Sequence, residues 1–236
     1  MFRWVSVLSA AFLLFMVPIF SATNSPAEVD PKRFEPEIRK FEVVDQRTPP
    51  PQRPVLFTGS SSVRLWNTLS NDFPKHRVLN RGFGGSHMSD LNFYFDRIVK
   101  PYRPSLIVVY EGDNDLAAGK SVDAVYADYL QFLKRVRTDL PGTPVLLLAA
   151  KPSPSRTPLL GSQRDLDHRL QQLASTTPDI HFIDTFRPLV DADGNPRREL
   201  FREDFLHMNA KGYALWRELI SPVLDRILPE STVPIR

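Results

Sequence analysis

Residues 55–66 read Val55-Leu56-Phe57-Thr58-Gly59-Ser60-Ser61-Ser62-Val63-Arg64-Leu65-Trp66. The run from Val55 to Thr58 is apolar or β-branched, which is typical of a central strand in a parallel sheet. Gly59 can adopt backbone angles that other residues avoid, so it predicts a sharp turn after the strand. The serines that follow begin a helix, whose first backbone N–H groups lack partners and favour negative charge.

The three serines of this turn have two interpretations. Serine commonly caps the N-terminus of a helix, and taken alone the stretch favours that role. A serine at this position could also attack an acyl carbon while neighbouring amides hold the resulting oxyanion. The other motifs of the chain decide between the two interpretations.

The composition is that of a soluble protein with a sizeable core. Its 236 residues fit one globular domain with a leader and a tail, and 42% of them are hydrophobic and 24% charged. The net charge is +3 with a pI near 9.2, but the basic residues are scattered and form no aromatic-interleaved patch, which argues against nucleic-acid binding. The absence of cysteine excludes disulfides and lipid attachment through a thiol.

The N-terminus, residues 1–22, has the layout of an export signal. Arg3 supplies positive charge, an apolar run extends from Trp4 to Phe20, and small residues follow. An uncleaved anchor is the alternative, because the run approaches the roughly 17–25 residues that span a membrane. Pro18 and the small residues favour cleavage. We therefore predict an exported protein, periplasmic or secreted, with a membrane tether through this segment as the alternative; export without disulfides is compatible with a bacterial envelope protein.

Strand and helix patterns alternate five times along the rest of the chain. The predicted strands cover residues 55–58, 77–81, 105–110, 144–150 and 180–184. This alternation predicts an α/β fold, a three-layer α/β/α sandwich around a five-stranded parallel sheet. The expected divisions are a linker and amphipathic helix at 23–53, a domain at 54–228 and a tail at 229–236. In such sheets, functional residues collect at the carboxyl ends of the strands.

Four segments fall where function is expected. Ser60–Ser62, Gly82–Gly85 and Gly112–Asn114 follow the first three strands, and the fourth segment contains Asp204 and His207 just before the last helix. The spacing of three residues lets the aspartate orient the imidazole and leaves the second ring nitrogen free as a base. A nucleophile, a base and an orienting acid are then all present.

Together these segments resemble the SGNH (GDSL-like) hydrolase family, and the likeness extends from Val55 to about Leu224. It implies the family's flavodoxin-like sandwich and a serine esterase activity. By this resemblance Ser61 is the nucleophile, His207 the base and Asp204 its partner.

The same resemblance assigns the groups that hold the oxyanion. They are the backbone N–H groups of Ser61 and Gly85 and the side-chain amide of Asn114. The chain departs from the family at Ser60, which stands where the family has aspartate, so the choice of nucleophile among the three serines stays open. Each motif alone has an ordinary structural explanation, Asn114 as a helix cap for instance, but four in the right order favour catalysis.

Other candidate sites have less support. His87 could line a pocket, but no carboxylate precedes it at a comparable spacing. The segment from Asp191 to Asn195 is similar to a calcium loop but lacks the downstream glutamate, so we predict a tight turn. Trp66 and Trp216 lie in amphipathic helices and are expected to pack in the core.

The sequence thus predicts two-step hydrolysis of carboxylic esters, with no metal and no organic cofactor. The expected partner is a small-molecule, glycan or lipid ester, and the loop from Lys151 to Ser162 is expected to select it. Two alternatives remain open: an acyltransferase that uses the same residues, and a non-catalytic envelope binding protein on the same fold.

Overall fold

The computed structural model describes residues 30–228. The predicted export signal or anchor at 1–22, the predicted linker up to residue 29 and the tail at 229–236 lie outside the described residues. Within residues 30–228, no helix is both long and apolar enough to cross a bilayer.

The centre of the fold is a parallel sheet of five strands. They are β1 (Val55–Gly59), β2 (Val78–Gly82), β3 (Leu106–Tyr110), β4 (Val145–Leu148) and β5 (Ile180–Ile183). Their order across the sheet is β2-β1-β3-β4-β5. The predicted strand number and parallel arrangement are confirmed, and β1 pairs with β2 on one side and with β3 on the other.

Helices cover both faces of this sheet, as the alternation predicts. They are α1 (Glu35–Arg47), α2 (Ser61–Arg64), α3 (Leu69–Asp72), α4 (Met88–Ile98), α5 (Asp113–Ala117), α6 (Val122–Asp139), α7 (Leu160–Thr176) and α8 (Ala210–Ile227). Short 3-10 turns connect them at Pro31–Phe34, Lys100–Tyr102, Pro154–Leu159, Arg187–Leu189 and Arg198–Leu200.

Side chains alternate across the sheet and form two cores. On β1, Leu56 packs in a core that includes residues of α1, α4, α6 and α7. Val55 and Phe57 point the other way, into a core that includes residues of α2, α3 and α8. Trp66 and Trp216 lie in this second core with their ring centroids 6.0 Å apart, which confirms the predicted packing role.

Two predicted elements differ in detail. The helix predicted to begin at the serines ends at Arg64, and α3 follows as a separate short helix. Between the two, Trp66 turns into the core, and its indole N–H donates to Asp72 at 2.7 Å. The predicted loop at 151–162 is shorter than expected, since the turn Pro154–Leu159 leads directly into α7.

At the carboxyl edge of the sheet, the loops that follow β1, β2 and β3 begin side by side. Gly59 stands opposite both Gly82 and Tyr110. The Ser60 N–H donates to the Tyr110 carbonyl at 3.1 Å, and the Phe83 N–H donates to the Gly59 carbonyl at 2.8 Å. Gly59 has φ +126°, and a β-carbon there would overlap the Tyr110 carbonyl oxygen, so only glycine keeps this register.

Candidate active site

Ser61 is the serine of the turn that faces a base. Its hydroxyl is 3.1 Å from Nε2 of His207. The side chains of Ser60 and Ser62 are buried instead, and their hydroxyl oxygens have no hydrogen-bond partner within the described residues. The geometry therefore singles out the middle serine among the three.

His207 is oriented by Asp204 from within the same loop. Nδ1 of His207 is 2.7 Å from one carboxylate oxygen of Asp204, and the other oxygen accepts the backbone N–H groups of Leu206 and His207, both at 2.9 Å. Partial burial opposes ionisation, but these hydrogen bonds outweigh it and lower the pKa of Asp204 to about 2. An anionic Asp204 favours a proton on Nδ1, which leaves Nε2 as an acceptor toward Ser61.

The loop that holds Asp204 and His207 is fastened at both ends. Phe201 and Met208 form an antiparallel bridge across it. Asn209 caps α8 by accepting the Lys211 N–H at 2.9 Å, and its side-chain amide donates to the Phe201 carbonyl at 3.0 Å. His207 is thus carried by a loop whose ends are joined to each other and to a long helix.

Free backbone donors lie in the two neighbouring turns. Ser61 is the first residue of α2, so its N–H has no acceptor within the helix. Gly85 has φ +82°, with open space where a β-carbon would stand. Within residues 30–228 neither N–H donates to a backbone carbonyl, which leaves both available to a bound group.

The Asn114 side chain is held by two polar contacts. Its Oδ1 accepts from Nη2 of Arg156 at 2.7 Å, and its Nδ2 donates to the Ser86 carbonyl at 3.0 Å. It does not cap α5, whose N-cap residue is Gly112. Because Ser86 follows Gly85 in the chain, this contact joins the loop after β3 to the glycine loop after β2.

Sequence comparison matches this arrangement to a known family. The family described as GDSL-like Lipase/Acylhydrolase matches residues 53–215, more than half of the chain. The chain belongs to this family. The resemblance derived from the four motifs is confirmed, and Ser60 in place of the family's aspartate does not remove the match. A comparison with curated proteins finds no match.

Solved structures share the fold of this GDSL-like hydrolase. A Bacteroides fragilis protein provisionally described as an acylhydrolase has a TM-score of 0.71 and 22% identity, over 80% of this chain and 96% of that one. A GDSL-like lipase from Bacteroides thetaiotaomicron has a TM-score of 0.69 and 19% identity, over 80% and 97%. A carbohydrate esterase family 3 protein from Talaromyces cellulolyticus has a TM-score of 0.59 and 16% identity, over 75% and 99%. At these identities the likeness establishes the fold.

The GDSL-like domain also contains a buried charge cluster that the motifs do not predict. Nζ of Lys151 lies 3.1 Å from the Asp113 carboxylate, and Nη1 of Arg156 lies 2.7 Å from it. Burial opposes ionisation of Asp113, yet these two cations lower its pKa. Lys151 is 1% exposed. One signal could have located the cations: both follow the carboxyl end of β4, at the edge where the other site residues lie.

A second buried acid supports the glycine loop. The Ser86 hydroxyl lies 2.9 Å from the Phe83 carbonyl and 2.6 Å from the Glu111 carboxyl. One hydroxyl has a single proton and cannot donate to both. Burial raises the pKa of Glu111 well above its usual range and so favours the protonated acid. In that form Glu111 donates to Ser86, and Ser86 donates to Phe83.

His87 is the N-cap residue of α4, and the segment that begins at Asp191 forms a tight turn. Burial first, then the charges of Lys120 and Arg33, lowers the pKa of His87 to about 4, and its backbone N–H donates to Asp90 at the start of α4. Asp191 accepts the N–H groups of Asp193 and Asn195 at 3.0 and 2.8 Å, as expected for a tight turn. Among the described residues, no group of three or more His, Cys, Asp or Glu side chains could hold a metal ion.

Proposed function

We propose that this GDSL-like hydrolase is a serine esterase that cleaves carboxylic esters through an acyl-enzyme. The observation that carries the proposal is the hydrogen-bonded series from Ser61 to His207 to Asp204, with distances of 3.1 and 2.7 Å. Family membership supports acylhydrolase chemistry, and the series supplies the nucleophile, the base and the orienting acid that this chemistry needs.

In the first step, Nε2 of His207 takes the hydroxyl proton of Ser61 as the serine oxygen attacks the ester carbonyl carbon. The carbonyl π electrons move to its oxygen, and a tetrahedral intermediate forms. Asp204 stabilises the imidazolium that results. Collapse of the intermediate breaks the bond to the alcohol oxygen, and His207 donates its proton to that leaving group.

The oxyanion of the intermediate is held by three N–H donors. They are the backbone groups of Ser61 and Gly85 and the Asn114 side chain. Each such donor stabilises the transition state by about 3–4 kcal/mol. In the second step His207 takes a proton from water as the water oxygen attacks the acyl carbon. The tetrahedral intermediate then collapses, the bond from the acyl carbon to the Ser61 oxygen breaks, and His207 returns the proton to Ser61 as the acid leaves.

We propose a small-molecule, glycan or lipid ester as the substrate. The carbohydrate esterase among the structural neighbours gives the glycan esters a place in the first screen. The apolar run at 4–20 is the basis for proposing export to the periplasm or the medium, with the membrane tether as the alternative.

The test is hydrolysis of p-nitrophenyl acetate by wild type, Ser61→Ala, His207→Ala and Ser60→Ala. We expect Ser61→Ala and His207→Ala to lower kcat by a factor on the order of 10⁴ or more. Ser60→Ala is the matched control, because its hydroxyl is buried and contacts no base. Activity retained in Ser61→Ala would overturn the assignment of the nucleophile.

Covalent labelling with a fluorophosphonate separates an enzyme from a binding protein. An adduct on Ser61 of the wild type, absent in Ser61→Ala, supports the esterase. Failure to label together with no hydrolysis of acetylated glycans, lysophospholipids or nitrophenyl esters would favour a non-catalytic binding protein on the same fold.

A further inference from the structure

We propose that Arg156 is a positioning residue that fixes the Asn114 amide with its N–H toward the oxyanion and makes that N–H a stronger donor. The inference rests on the proposed esterase function and adds a residue that no motif of the chain assigns. Its basis is the contact of one guanidinium with both Asn114 and Asp113.

The orientation of the Asn114 amide follows from its partners. A guanidinium has only donors, so the atom 2.7 Å from Nη2 of Arg156 must be the amide oxygen. A carbonyl oxygen only accepts, so the atom 3.0 Å from the Ser86 carbonyl must be the amide nitrogen. The two contacts require the same orientation independently. The NH₂ group has two hydrogens, and the one that Ser86 does not take remains for a substrate.

Arg156 is itself held in place by buried groups. Its Nη1 lies 2.7 Å from Asp113, which is 3% exposed and is also paired with Lys151. The next residue back, Ser155, donates its N–H to the Phe205 carbonyl at 3.0 Å. Phe205 lies between Asp204 and His207, so the Arg156 segment is tied to the base loop as well as to the loop of Asn114.

The contact also acts on the strength of the donor. A guanidinium at the amide oxygen draws electron density toward that oxygen, and linked hydrogen bonds strengthen one another in this way. The effect is larger for an oxyanion than for a neutral ester carbonyl, since the donor meets more negative charge in the transition state. Loss of Arg156 should therefore lower kcat and leave KM nearly unchanged.

The test is a double-mutant cycle between Arg156→Met and Asn114→Ala, measured with p-nitrophenyl acetate. We expect Asn114→Ala to lower kcat about 10²–10³-fold and Arg156→Met to lower it roughly 10-fold or more at nearly constant KM. The double variant should equal Asn114→Ala alone, because without the amide Arg156 has nothing to position. Multiplicative losses would overturn the inference.

Two further variants keep the test decisive. Arg164→Met is the matched control: Arg164 stacks on Phe186, 5.1 Å from the ring centre, and should have wild-type kcat. Because Arg156→Met leaves Asp113 with Lys151 alone, thermal unfolding is measured for every variant. If Arg156→Met does not fold, the cycle is repeated with Arg156→Lys, which keeps a cation beside Asp113, and the same non-additivity is required.

The outcomes separate the two proposals. An active Ser61→Ala variant would overturn the esterase mechanism and this inference with it. An inactive Ser61→Ala variant combined with an additive cycle would overturn the role of Arg156 alone. Wild-type kcat in both Arg156→Met and Arg156→Lys would also overturn the role of Arg156 alone.

Discussion

Two aspartates of the candidate site are held in opposite ways. The side chain of Asp204 is 47% exposed, and its hydrogen bonds come from residues two and three positions away in its own loop. Asp113 is 3% exposed, and its two cationic partners come from another segment, with Lys151 lying 38 positions further along the chain. One carboxylate is organised by local sequence and the other by the packing of distant segments.

This difference in exposure predicts how far each carboxylate contributes to the stability of the fold. An exposed ion pair adds little to stability, since water screens it and solvates the unpaired form. A buried charge whose partner is removed is strongly destabilising, because nothing replaces the lost hydration. We therefore expect substitution of Asp204 to lower kcat with little change in the free energy of unfolding. Substitution of Asp113 should lower both the free energy of unfolding and kcat.

Of the variants that test this comparison of the two aspartates, Asp204→Asn should have the largest effect, a loss of activity. The amide can turn its NH₂ or its oxygen toward His207 and no longer stabilises an imidazolium, so kcat should fall by a factor on the order of 10³–10⁴. The free energy of unfolding should change by about 1 kcal/mol or less. Ester hydrolysis and urea unfolding measure the two quantities. A variant that loses stability and keeps its activity would reverse the comparison.

Asp113→Ala should instead destabilise the fold. Lys151 and Arg156 would be left buried without their anion, at a cost of about 3–5 kcal/mol in the free energy of unfolding. The matched control is Asp165→Ala, which breaks an exposed pair with Arg169 on α7 and should cost about 0.5 kcal/mol. Chemical unfolding of both variants gives the comparison, and equal losses would contradict it.

The comparison extends to pH, because Asp204 and the buried Glu111 make the stability of the fold change with pH in opposite directions. The ordinary pKa of an aspartate is 3.8, and that of Asp204 is lowered to about 2. The ionised Asp204 therefore stabilises the fold at pH values above 3.8, and this stabilisation is lost as pH falls toward about 2. The raised pKa of Glu111 means that the folded state holds the proton, so stability falls as pH rises above 4.5.

The substitution Glu111→Gln is expected to reduce the loss of stability that the wild type shows as pH rises. The unfolding midpoint of the wild type should drop more steeply than that of the variant as pH rises above 4.5. The decline should not vanish, because burial also raises the pKa of Asp167 well above its usual range. Parallel curves for wild type and Glu111→Gln would show that Glu111 is ionised in the folded state.

The smallest effect is expected for Ser60→Ala. The Ser60 hydroxyl is buried and has no hydrogen-bond partner within the described residues, so its removal leaves no group unpaired. We expect kcat/KM within about 2-fold of wild type and an unfolding free energy within about 0.5 kcal/mol. A large loss of activity here would move the nucleophile from Ser61 to its neighbour.

Much of the fold could be predicted from local pattern. The apolar strands and the glycines after them predicted the parallel sheet, because buried strands and sharp turns each need particular residues at particular positions. The break between α2 and α3 could not be predicted, because it depends on a contact of Trp66 with Asp72 and with a core built from distant helices.

The candidate site divides in the same way. The spacing of Asp204 and His207 predicted their contact, since a short loop limits how far apart the two side chains can lie. Lys151 and Arg156 appeared only as part of a loop expected to select the substrate. Their contacts with Asp113 and Asn114 arise because β3 and β4 are neighbours in the sheet, which local sequence does not state.

By itself, the sequence determined the family, the layered architecture and the pairing of His207 with Asp204, since each follows from periodicity or from a short motif. Only the tertiary structure decided which of three serines meets His207, which way the Asn114 amide points, and that the Glu111 carboxyl is buried beside the Ser86 hydroxyl. The physical reason is burial. Hydrogen-bond partners and dielectric surroundings are set by segments far apart in sequence, and they choose the protonation and orientation of a polar group.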